Sequence, residues 1–164
     1  MRTIFSLFKT YDNAKEAVDE LIGKGFASDE MNVITQDYVA KSHLEVCRRE
    51  TNIEVSGRTG RGGVHGLDRI VGGKHETNIA DVGKVFAAGK FAALLARRDC
   101  SPVHSCNELK SALVELEVPD EVAEAYRTGI KEGGVLFWVR SEDGRAPEAA
   151  SVMRNHKGER IVAH

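Results

Sequence analysis

The sequence predicts an α+β domain in which two strand-helix-strand halves share one antiparallel sheet, the ferredoxin-like arrangement. Three observations lead there. Residues 1–37 alternate strand, helix and strand patterns, and residues 134–163 repeat that order. A shift of 132 positions, 14 to 146, lays Ala14-Lys15-Glu16-Ala17 over Ala146-Pro147-Glu148-Ala149 and Leu21 over Met153. The 164 residues therefore read as a single domain, with 1–37 as the first half, 38–105 as an insertion ending in a bent strand, and 106–164 as helices and the second half.

Residues 2–9 are rich in aromatic, aliphatic and β-branched types, which predicts a strand, and Thr10-Tyr11-Asp12-Asn13 then supplies turn and capping chemistry. Ala14, Ala17, Val18, Leu21 and Ile22 recur at helical spacing on one face, and Gly25 is placed to stop the helix. Met31-Asn32-Val33-Ile34-Thr35 reads as the second strand.

The middle is less regular. A short helix is expected at 39–49 and a strand at Asn52-Ile53-Glu54-Val55. Gly57, Gly60, Gly62, Gly63, Gly66, Gly72 and Gly73 alternate with Arg58, Arg61 and Arg69, a composition that predicts a long glycine-rich loop. The apolar stretch from Val82 to Leu95, with Gly83 and Gly89 inside it, reads as a strand bent at a glycine.

Ser105-Cys106-Asn107-Glu108 matches the capping box, in which serine and glutamate satisfy each other's free backbone N–H groups, and Leu109, Ala112, Leu113 and Leu116 follow at helical spacing. Pro119-Asp120-Glu121 opens another helix with Val122, Ala123, Tyr126 and Ile130 inward and Gly133-Gly134 at its end. The run Gly134-Val135-Leu136-Phe137-Trp138-Val139 is continuously apolar, as expected of a central, covered strand. After the Asp143-Gly144 turn, Pro147 suits a helical first turn. Ala149, Val152, Met153 and His156 share the inward face, Gly158 is placed to cap, and Arg160-Ile161-Val162-Ala163 closes the sheet.

Composition bounds the function classes. There are 23 Lys plus Arg against 25 Asp plus Glu, so no global field draws nucleic acid or an acidic membrane. The apolar N-terminal run is too short for a secretory signal, and no stretch reaches the ~18 apolar residues of a membrane-spanning helix. A cytoplasmic protein with reduced thiols is expected, because three cysteines are too few for a disulfide scaffold.

Candidate chemistry falls in the middle and at the last helix. His43 and Cys47 would share a helical face, and Cys100, His104 and Cys106 form a C-x3-H-x-C cluster, so four of these five residues could hold a tetrahedral zinc ion. Unpaired core or surface residues are the plainer reading, since the spacing matches no standard zinc module. Cys106 or Cys100 is also a candidate redox thiol, and Cys106 sits in a helical first turn. The glycine stretch lacks G-x-x-x-x-G-K-[ST] and misses G-x-G-x-x-G at His65, which leaves a solvated loop ahead of a phosphate cradle. Arg58, Arg61, Arg69 and Lys74 form a short basic patch without an aromatic residue, too little for nucleic acid. His156 reads as a partly buried packing residue before a proton-transfer group. No resident cofactor is expected beyond the zinc alternative.

Ser6-Leu7-Phe8-Lys9-Thr10-Tyr11-Asp12-Asn13-Ala14 with Leu21-Ile22-Gly23-Lys24-Gly25-Phe26 resembles the start of the bacterial general stress proteins of the heat-induced stress protein YflT type. The run from Ala112 to Tyr126, with Gly129-Ile130-Lys131-Glu132-Gly133-Gly134-Val135-Leu136, is similar to that family's second stretch, and Ile79 to Lys90 resembles its glycine-rich middle. The likeness spans most of residues 3–162. It departs where Arg58, Arg61, His65, Asp68, Arg69 and Lys74 interrupt a run that family members keep apolar, and where Lys84 and Lys90 stand in place of prolines. The resemblance implies stress induction and brings no catalytic residue with it.

The expected function is therefore non-enzymatic: a cytoplasmic stress-associated protein that acts by self-association, as a homodimer, or by binding a partner or small ligand. With both helices on one side of the sheet, an open face or an edge would be covered by a second subunit. The alternative is a metal-binding or thiol redox sensor built on His43, Cys47, Cys100, His104 and Cys106, and a small-molecule enzyme stands third.

Overall fold

The computed structural model describes residues 1–36, 38, 39, 42, 76–79, 82–88 and 109–164. The elements are β1 (Arg2–Phe8), α1 (Tyr11–Gly23), a 3-10 turn (Ser28–Glu30), β2 (Met31–Gln36), β3 (Glu76–Ile79), β4 (Gly83–Ala88), α2 (Leu109–Glu115), α3 (Asp120–Lys131), β5 (Val135–Ser141), α4 (Ala146–Asn155) and β6 (Glu159–Ala163). The fold is α+β. The six described strands form one sheet in the order β3-β4-β2-β5-β1-β6, and every neighbouring pair is antiparallel.

The strand-helix-strand halves stand where the patterning put them. Thr10 caps α1, its hydroxyl oxygen accepting from the Asn13 N–H at 3.3 Å, and Ala14, Ala17, Val18 and Leu21 are buried along one face. In α4, Ala146, Ala149 and Met153 are buried in the matching places, and Val152 is buried beside them. β5 lies between β1 and β2, pairing Phe5 with Trp138 on one side and Val33 with Phe137 on the other.

Helices cover both faces of this sheet, not one. Val135, Phe137 and Val139 of β5 join Ile4 and Phe8 of β1 against α1 and α4. The alternate residues Leu136 and Trp138 join Phe5 and Leu7 against Leu109 and Leu113 of α2 and Ala123, Tyr126 and Ile130 of α3. The apolar run in β5 is unbroken because successive side chains enter two different cores. Truncating Phe137 to alanine in such a core costs about 3–5 kcal/mol. The expected open face is thus filled by the helical pair that precedes β5; the sequence placed that pair in the chain but gave it no surface to cover.

β3 was not anticipated. Its Glu-Thr-Asn-Ile sequence has little apolar pattern, and its position comes from pairing with β4, Thr77 opposite Val85 and Ile79 opposite Gly83. β4 begins at Gly83, whose φ of 95° only glycine adopts without strain. Of the expected helix at 39–49, only Val39 and Ser42 are described, both with helical backbone. The expected strand at 52–55, the glycine stretch at 57–73 and the continuation of the bent strand through 89–95 lie outside the described residues.

The helices α1 to α4 close in the same way, with a left-handed residue followed by a backbone bond spanning six residues. After α1, Gly25 has φ 84° and the Phe26 N–H donates to the Leu21 carbonyl at 3.0 Å; after α3, Gly133 has φ 91° and Gly134 donates to Gly129 at 2.8 Å. After α2, Glu117 takes the left-handed position with φ 65°, and after α4 it is Lys157 with φ 63°. Gly158, placed to cap α4, directly follows the left-handed Lys157. Its N–H donates to the Met153 carbonyl at 2.7 Å, and a Cβ there would stand 2.6 Å from that oxygen and clash with Ser6 Oγ. The glycine serves close approach of α4 to β1.

Candidate functional site

The charged side chains of α1 and α4 are arranged to hold the two helices together. His156, at the C-terminal cap of α4, sets Nε2 2.7 Å from Glu20 Oε2 and Nδ1 3.4 Å from Glu16 Oε2. Glu16 and Glu20 stand one turn apart on α1, so a single ring reaches both. Its two nitrogens point in opposite directions and cannot serve one metal ion together. Arg145 works at the other end of α4. Its Nη2 donates to the Lys24 carbonyl at 2.7 Å, it pairs with Glu148 at 3.2 Å, and its guanidinium lies 4.0 Å over the Phe26 ring. It thereby supplies donors to carbonyls just past the C-terminus of α1.

On the opposite face, Lys110 of α2 lies 3.0 Å from Asp120 and 3.8 Å from Glu124 of α3, and Arg127 pairs with Glu124. The hydrogen bond to Asp120 raises the Lys110 pKa, and the Arg127 hydrogen bond lowers that of Glu124. Beneath this surface, Tyr126 is buried near Phe5, ring centroids 6.4 Å apart, and its hydroxyl donates to the Arg160 carbonyl of β6. Burial pushes the Tyr126 pKa well above its ordinary value.

Among the described elements, β3 and β6 stand at the two ends of the sheet, and β6 pairs with β1 alone. Thr3 and His164 exchange both backbone bonds, at 2.7 and 3.0 Å, so Ala163, in the adjacent pair with Ile4, turns its own N–H and carbonyl away from β1. Ile161 and Val162 are half-buried there and Ala163 is exposed. The register shifts between Phe5 and Leu7, where Arg160 has φ 50°, and Lys9 pairs with Glu159 at 3.0 Å. A bulge and charged residues confine the free edge to Ile161–Ala163.

His43, Cys47, Cys100, His104 and Cys106 all lie outside the described residues, as does the basic and glycine-rich stretch from Gly57 to Lys74. Among the described residues no group of three or more His, Cys, Asp and Glu side chains could hold a metal ion. No helix among them is long and apolar enough to cross a membrane. His156 is half-buried as expected, and its ring nitrogens meet the carboxylates of Glu16 and Glu20. The i, i+4 spacing of Glu16 and Glu20 was visible in the sequence, whereas their partner lies 136 residues further along from Glu20. No sequence signal marked Arg160 as a bulge or Tyr126 as its donor.

Comparison of the chain with protein-family models, curated proteins and solved structures finds no match.

Proposed function

We propose that this chain is a non-enzymatic, cytoplasmic, stress-associated protein on a ferredoxin-like sheet, acting by self-association as a homodimer. The succession β2-β5-β1-β6, with α1 and α4 each joining strands that flank one other, supports the ferredoxin-like placement. The stress association rests on the likeness of residues 6–26 and 112–136 to the YflT-type proteins.

The outer edge of β6 carries the self-association reading. Helices occupy both faces of the sheet, so a second copy has a strand edge to extend rather than a face to cover, and β6 is the end strand whose outward backbone groups are defined by its register. Backbone groups of Ala163 point outward there beside half-buried Ile161 and Val162, and antiparallel pairing with the same strand of a second copy would satisfy them.

Sedimentation velocity from low to high micromolar concentration tests the proposal, using the wild type beside Ala163→Pro. Proline removes the outward N–H without touching the bonds to β1, a substitution that edge strands tolerate. The expected result is a wild-type dimer that dissociates on dilution and a monomeric variant whose melting temperature equals that of the wild type at the low concentration where both are monomers. A wild type that is monomeric throughout overturns self-association, and a dimer that survives in Ala163→Pro overturns the edge as its site.

A further inference from the structure

We draw no further inference here: the strongest candidate, the side-chain cluster of His156, Glu16 and Glu20 across α1 and α4, is accounted for by its own ion pairs, and nothing in the structure points to a ligand for it.

Discussion

The hydroxyl of Tyr126 donates to the backbone carbonyl of Arg160, tying the middle of α3 to the bulge in the edge strand β6. This is a buried side chain closing a backbone group that the β1–β6 ladder leaves irregular. Tyr126→Phe keeps the packing against Phe5 and leaves the carbonyl without its donor. The expected loss is about 0.5–1.5 kcal/mol, the net contribution of one hydrogen bond to a carbonyl on an exposed residue, read by urea denaturation.

The same residue sets an alkaline limit. Burial favours the neutral phenol and raises its folded pKa above the ordinary value of 10.0. The stabilisation is complete below the unfolded value, near pH 10, and is lost as pH rises from there towards the folded one. Unfolding free energy measured between pH 8 and about pH 11 should fall more steeply in the wild type than in Tyr126→Phe. Equal slopes would show that Tyr126 ionises as freely folded as unfolded.

Lys157 stands in the first half's Gly25 position under the 132-residue shift, and both residues are left-handed, φ 63° and 84°. Lys157→Gly should therefore stabilise the protein, by about 0.5–1 kcal/mol once the added freedom of the unfolded chain is set against the relieved strain. Gly25→Ala should destabilise by about 1–2 kcal/mol for the converse reason. Thermal unfolding of the two variants gives opposite signs. Gly158→Ala should be worse than either, because its Cβ would meet backbone 2.6 Å away.

Ser6 is fully buried, and its hydroxyl has no hydrogen-bond partner among the described residues. Ser6→Ala removes a desolvated polar group and leaves only a small change in volume. Stability should be unchanged or rise by up to about 1 kcal/mol. A clear loss in chemical denaturation would show that the hydroxyl is satisfied in solution, as by a bound water.

A double-mutant cycle on Glu20→Gln and His156→Gln isolates their contact. With Glu20 38% exposed at the side chain, solvent screens the pair, and the coupling should be no more than about 1 kcal/mol. It should shrink with added salt. A coupling indifferent to salt would mark the contact as a neutral hydrogen bond.

Much of the architecture was written in local pattern. Ala14, Ala17, Val18 and Leu21 announce α1 by spacing, Val135 to Val139 announce a central strand by being apolar at every position, and both are as expected. What was not legible was which side each helix takes. Leu109, Leu113, Tyr126 and Ile130 look the same in sequence whether they pack on the sheet or on each other, and only the alternation of Leu136 and Trp138 with Phe137 decides between two cores and one. The edge of β6 was readable as a strand but not as a bulged one, since Arg160 has no residue-type preference for φ 50°. β3 was hidden because pairing with β4, and not its own composition, makes it a strand.

The position of β1 governs when the chain can fold. It precedes every other described strand, and both of its neighbours, β5 and β6, come from residues 135–163. A growing chain therefore carries Ile4, Phe5, Leu7 and Phe8 with no strand to pair them until nearly all of the described sequence has been synthesised. Distant pairing of this kind makes formation of the sheet slow and leaves an apolar segment exposed to other chains in the meantime. Synthesis, more than the finished molecule, is the stage at which this protein is most open to aggregation.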